Sequence, residues 1–280
     1  MKNFDLVIGI DQTGAVEKDG KPKALPVVVF KKTDKNWSVV RDENGFDVSL
    51  PSFSRKDLNT LVRRLTDHSL DKYSVLILVD TVFGLPRELV GISERIEFRR
   101  AMRRAKTHEG FGMKAAKNFF EMLKEDYDYS SKDLPRRDVE KKLGANSLFQ
   151  THPFQRNIQT GSYRIWKELA QWSETSYQLW PFEKVEPCGG KPVICEAYPS
   201  HAWKVLNDSA RTSLDFSVLR NQLGNLLEVP MDLADVSHDH RDAFFIGALA
   251  VYMLENESLQ NSDVNCLEGD ILGSHLSVAG

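Results

Sequence analysis

The run Val75-Leu76-Ile77-Leu78-Val79, closed by Asp80, limits what this chain can fold into more than any other feature. Five successive apolar side chains leave no polar face, so the segment reads as a strand covered on both sides of a sheet. Strands of that kind belong to α/β architectures, where helices cover both faces. Residues 6–10 and 192–195 read the same way and end at Asp11 and Glu196. Residues 24–30 are β-branched, and 37–40 follow after the polar turn Asp34-Lys35-Asn36, so the N-terminal third reads as an antiparallel meander of three strands.

Helical spacing fits residues 54–65, where Leu58, Leu61, Val62 and Leu65 recur and Ser54 stands as N-cap. Between Gly91 and Gly190 the strand signal is absent, and helices fit 93–106, 113–127 and 162–172. Neither end of this stretch carries a flexible linker, so it is expected to be a helical insertion, about 91–190, between the last two strands. Residues 236–254 form a helix apolar on most sides, hence deeply packed, and the polar stretch 255–265 is expected to be loop. The expected fold is one α/β domain spanning 1–280, with a mixed five-stranded sheet flanked by helices.

A net charge of −3 gives no global attraction to nucleic acid or anionic membrane, so any such attraction must be local. Cys188, Cys195 and Cys266 lack C-x-x-C spacing, which argues against a disulfide framework and a structural zinc site. Asp5 stands where a signal peptide would carry lysine, and the first apolar stretch is too short to span a bilayer. A cytoplasmic location with no membrane partner is expected.

Asp11, Asp80 and Glu196 each close an apolar strand, and Asp239 and Asp242 sit three apart near the start of the last helix, on one side of it. Ligands of open α/β sheets gather outside the carboxyl ends of strands. Carboxylates converging there repel unless a cation or a proton neutralises them. Hard divalent ions with oxygen ligands meet that need, and a pair of them can clamp a phosphodiester. Taken singly, each acid also fits a turn or a cap; Asp239 in particular suits an N-cap or the first turn of a helix dipole.

Gly9-Ile10-Asp11 after the first strand, an acid closing the fourth, and Asp239-His240-Arg241-Asp242-Ala243 opening the last helix resemble the ribonuclease H superfamily. The paired acids three apart, followed by alanine, are similar to the RuvC-type resolvases. Val79-Asp80-Thr81-Val82-Phe83-Gly84-Leu85-Pro86, Glu196-Ala197-Tyr198-Pro199 and Asp242-Ala243 resemble a broad family of predicted nucleases with a ribonuclease-H-like fold. The resemblance implies that Asp11, Asp80 and Asp242 are metal ligands, with Asp239 the fourth. Asp11 would bridge two ions, and Mg²⁺ or Mn²⁺ would suit the all-oxygen set. RuvC-like enzymes carry glutamate on the fourth strand, where this chain has Asp80, one methylene shorter. Glu196, a further candidate catalytic acid, has no counterpart in the shortest ribonuclease H pattern.

Arg95, Arg99 and Arg103 recur every fourth residue, and 14 lysines and arginines stand against 9 acids between Arg95 and Lys142. Guanidinium groups suit phosphate through parallel hydrogen bonds, so these three are candidate substrate contacts; a solvated face paired with acids such as Glu97 is the alternative. Phe149, Phe154, Tyr163 and Trp166, interspersed with bases, suit either core packing or base stacking. Helical geometry turns His238 toward Asp242 and His240 elsewhere. Gly110-Phe111-Gly112 follows a helix rather than a strand, so it fails as a dinucleotide loop, and Pro192 after Lys191 rules out a P-loop.

The leading expectation is a metal-dependent nuclease acting on DNA or RNA. Two other readings share the fold. Gly9-Ile10-Asp11-Gln12-Thr13-Gly14 resembles the first phosphate loop of sugar kinases, which suggests an actin-like ATPase or small-molecule kinase, although no second copy of such a loop follows. A binding protein without catalysis is the third reading.

Overall fold

A computed structural model describes residues 4–12, 21–90, 94–150, 158–183, 190–208, 213–256 and 271–276, with backbone only for 94 and 95. The strands are β1 (Leu6–Ile10), β2 (Leu25–Lys32), β3 (Trp37–Val39), β4 (Val48–Leu50), β5 (Val75–Asp80), β6 (Gln178–Leu179) and β7 (Val193–Ala197). The helices are α1 (Arg55–Thr66), α2 (Arg87–Val90), α3 (Glu94–Thr107), α4 (Met113–Asp126), α5 (Asp138–Leu143), α6 (Ile158–Leu169), α7 (Pro199–Asn207), α8 (Phe216–Leu223) and α9 (His238–Glu255).

The sheet runs β3-β2-β1-β5-β7-β6, with β4 also paired to β2. β1, β2 and β3 form the expected antiparallel meander, while β5, β7 and β6 continue from β1 in parallel. The chain is therefore α/β with a mixed sheet, but of seven strands where five were expected. The two additions, β4 and β6, are three and two residues long, too short for an alternation of side chains to register in sequence. β6 also lies inside the stretch expected to be wholly helical.

Strand alternation splits the core in two. Leu6, Ile8, Ile10, Val75, Ile77 and Val79 face a layer containing α1, α3, α4 and α6. Val7, Leu76, Leu78, Val193 and Cys195 face α7, α8 and α9. Both faces of β5 are thus covered, as its unbroken apolar run requires. Ser54 caps α1 by accepting the Asp57 N–H at 3.0 Å, as its position predicts. α6 begins at Ile158, earlier than apolar spacing suggests, because its first turns carry the buried polar residues Gln159, Thr160 and Ser162. Phe149, Tyr163 and Trp166 are core residues, whereas Phe154 lies outside the described residues. Glu255, expected in a loop, ends α9 and ties it to the sheet through Lys32 Nζ and Trp37 Nε1, each at 2.8 Å. Among the described residues no helix is long and apolar enough to cross a membrane.

α9 lies directly on β1. A Cβ on Gly9 would stand 2.1 Å from the carbonyl oxygen of Ala243, so only glycine permits this approach. Gly9→Ala should therefore force the helix outward, lowering the unfolding free energy by about 3 kcal/mol, the upper end for overpacking. Gly112→Ala, with open space around its Cβ, should cost less than about 1 kcal/mol. Urea titration of the two variants checks both.

Glu168 on α6 accepts the N–H of Phe53. Burial, with Asp57 adding to it, pushes its carboxyl up to about 7 against the pull of that N–H and of Arg164. A carboxyl with a raised pKa in the fold is destabilising once deprotonated. Stability held below the ordinary carboxylate range is therefore lost as pH rises through about 7, by about 3 kcal/mol. Glu168→Gln, which keeps an acceptor for Phe53, should remove that slope in a pH series of thermal melts.

Candidate functional site

The register of β1 and β5 pairs Ile10 with Val79, so the next residues, Asp11 and Asp80, stand side by side at the carboxyl ends of neighbouring parallel strands. The Asp11 N–H donates to Pro26 O at 3.1 Å, which extends the β1–β2 ladder as far as the carboxylate-bearing residue. Ile10 and Val79 face the α3–α6 layer, so alternation turns Asp11 and Asp80 to the opposite face, the one α9 covers. β7 pairs Glu196 with Val79 and Ala197 with Asp80. Glu196 accordingly shares the face of Val79 and points away from α9.

α9 starts at His238, with Ser237 as N-cap accepting the His240 N–H at 3.2 Å. The glycine contact that seats Ala243 on β1 brings the preceding residue, Asp242, to the strand ends. Asp242 is buried there, as is Asp11; Asp80 is half-buried and Asp239 exposed. Asp11, Asp80, Asp239, Asp242 and Glu196 all line one cleft of about 440 Å³. Five acids at the ends of β1, β5 and β7 and the start of α9 thus line one cleft at the carboxyl edge of the sheet, where ligands of such sheets gather.

Their surroundings divide them. Asp242 Oδ1 accepts the indole N–H of Trp203 at 2.7 Å, and its Oδ2 lies 4.0 Å from Nε2 of His238. His240 turns away, with its ring nitrogens 2.8 Å from Ser237 Oγ and 2.9 Å from the carbonyl of Val48, as helical spacing predicts. Glu196 is held by Arg137 through two bonds of 2.8 and 2.5 Å, and it also accepts the Phe83 N–H at 2.7 Å. Arg137 Nε donates to Glu140 at 2.9 Å, so this fully buried guanidinium sits between two buried carboxylates. Burial alone would lower the Arg137 pKa, but Glu196 and Glu140 outweigh it and hold the group above its ordinary range. Burial pushes the Glu196 carboxyl up on balance, although Arg137 and the Phe83 N–H pull it down, so burial works against the ionised pair that the Arg137 side favours. The ionised pair is the form that fits, because a guanidinium keeps its proton and both carboxylate oxygens accept from it.

Among the described residues, no three His, Cys, Asp or Glu side chains stand close enough together to hold a metal ion as they are oriented. The all-oxygen chemistry of Asp11, Asp80, Asp239 and Asp242 fits a hard divalent cation, and their backbone positions put them around one cleft. Glu196 is committed to Arg137 instead.

The arginine row has partners of its own. Arg99 bonds Glu183 at 2.6 Å and lies 3.5 Å from Glu174; Arg103 meets Glu174 at 3.0 Å, and Arg100 meets Glu97 at 2.9 Å. Neither Arg99 nor Arg103 lines the cleft. The side chain of Arg95 lies outside the described residues.

Two neighbours of the cleft acids, Arg137 and Trp203, were not singled out from sequence. Pro199 at the first position of α7 is a helix-start signal that would have put Trp203 one turn inside a helix following Glu196. Nothing in sequence distinguishes Arg137 from the bases around it. Removing it should leave two buried carboxylates without a counter-ion. Arg137→Met is therefore expected to lose about 3–5 kcal/mol of stability. The Arg137→Met/Glu196→Gln double variant should regain part of that loss in chemical denaturation.

No family model, curated protein or solved structure matches the chain.

Proposed function

We propose that this protein is a metal-dependent nuclease of ribonuclease-H-like type, hydrolysing phosphodiester bonds of DNA or RNA. One observation carries the reading. Asp11 and Asp80 lie side by side on one face of the sheet, at its carboxyl edge, and Asp242 reaches the same cleft from α9. A capping role for each acid would not require them to share a face or a cleft. The antiparallel meander continued by parallel strands supports the fold reading, since the resemblance implies a mixed sheet flanked by helices.

In this reading Asp11, Asp80 and Asp242 hold Mg²⁺ or Mn²⁺, with Asp239 the fourth ligand at the rim. A divalent cation, when bound, supplies Lewis acidity toward phosphate and lowers the pKa of water. The chain's own residues supply the frame. The burial of Asp11 and Asp242 limits the water that competes for their oxygens. Arg137 and Glu196 lock the segment before α5 against β7 and so fix one wall of the cleft. His238, half-exposed beside Asp242, stands where a group could accept or donate a proton.

The kinase-like alternative reads Gly9 as part of a phosphate loop. Its lack of a side chain is already accounted for by the contact with Ala243, and no other observation favours that reading.

Single- and double-stranded DNA and RNA, incubated with the purified protein and Mg²⁺ or Mn²⁺, should be cleaved. Asp11→Asn should abolish that cleavage while melting no lower than wild type, because the amide removes charge repulsion without changing size. Cleavage that survives Asp11→Asn unchanged, or a wild type that cleaves none of the four substrates, would sink the proposal.

A further inference from the structure

α7 follows directly from β7 and carries Trp203 against the first turns of α9. The indole is 1% exposed and stacks on Phe245, with ring centroids 3.8 Å apart and planes 20° from parallel. Packing alone could be met by a phenylalanine, which has no polar atom to satisfy. A buried indole must find an acceptor for its N–H, and this one finds Asp242 Oδ1 at 2.7 Å. A hydrogen bond to a carboxylate is stronger than one between neutral groups, and it removes rotational freedom from a short side chain. Phe245 stands three residues after Asp242 on the same helix, so one ring reads the position of α9 through stacking and that of its carboxylate through the N–H.

We propose that Trp203 is the positioning residue of the site, fixing Oδ1 of Asp242 so that the carboxylate is presented to a cation in the cleft at a set angle. The inference rests on the metal-binding reading of Asp242 given above. Groups that orient a ligand in this way commonly affect metal affinity by about 10–100-fold.

Mn²⁺ binding, measured by electron paramagnetic resonance of the free ion, separates the cases without recourse to activity. Trp203→Phe keeps an aromatic ring on Phe245 and removes the N–H; its Kd for Mn²⁺ should rise about tenfold or more. Phe245→Leu disturbs the stack and keeps the N–H; it should melt at lower temperature and bind Mn²⁺ within about twofold of wild type, well below the change expected for an orienting group. Equal Mn²⁺ affinity in Trp203→Phe and wild type overturns the positioning role and leaves the metal site standing. An equal loss of affinity in both variants makes Trp203 a packing residue only and overturns it as well. A wild type that binds no Mn²⁺ removes the metal reading together with this inference. Should Trp203→Phe fail to fold, the indole N–H resonances of ¹⁵N-labelled wild type give the answer. The resonance displaced by Asp242→Asn must also move when Mg²⁺ is added, and one that stays fixed overturns the proposal.

Discussion

The contact between Gly9 and the backbone of Ala243 sets the geometry on which the rest of the cleft depends. Helix and strand approach so closely that even a methyl group would overlap the helix carbonyl. A second glycine serves the same interface, since a Cβ on Gly247 would lie 2.2 Å from the ring of Phe30 on β2. Two missing side chains, one on β1 and one on α9 four residues beyond Ala243, let α9 sink onto the sheet. Its first turn then ends up level with the carboxyl ends of β1 and β5. The position of Asp242 follows from backbone packing two residues away from Asp11.

The opposite wall rests on charge. Arg137 arrives from the segment before α5 and is held by Glu196 at the end of β7, while Glu140 takes its remaining edge. Burying three ions costs several kcal/mol each before their mutual attraction offsets it. Apolar side chains could fill the same space with less expense. The forked geometry of guanidinium on carboxylate supplies direction, fixing where the insertion meets the sheet. Ser162 does the same with neutral groups, accepting the Val82 N–H at 3.0 Å and the Thr81 hydroxyl at 3.1 Å just beyond Asp80.

Much of this was legible in the sequence, for identifiable reasons. The apolar runs of β1, β5 and β7 register because strands buried on both faces have no other composition open to them. The acids at their ends, and the three-residue spacing of Asp239 and Asp242, carry over because strand ends and helix turns fix side-chain direction locally. What stayed hidden depends on partners distant in the chain. The acid partners of Arg99 and Arg103, Glu183 and Glu174, were out of reach of the sequence reading because they lie some 70 residues or more downstream. The polar start of α6 shows no periodicity, since Ser162 and Gly161 pack against Thr81 and Gln12 rather than against an apolar layer. Glu196 looked like one more acid of the set because sequence shows its strand but not the guanidinium waiting above it.

The seating of α9 on β1 also orders events during synthesis. Asp11 and Asp242 lie more than 200 residues apart, so at roughly 5–20 residues per second ten seconds or more separate their emergence from the ribosome. Throughout that interval Val7, Val28, Phe30, Leu76 and Leu78 belong to a sheet face whose cover has not been made. The nascent chain therefore presents a broad apolar surface until α9 arrives to cover it. The same helix that shields it brings Asp239 and Asp242 to the cleft, so one late segment both covers the sheet and completes the acid-lined wall.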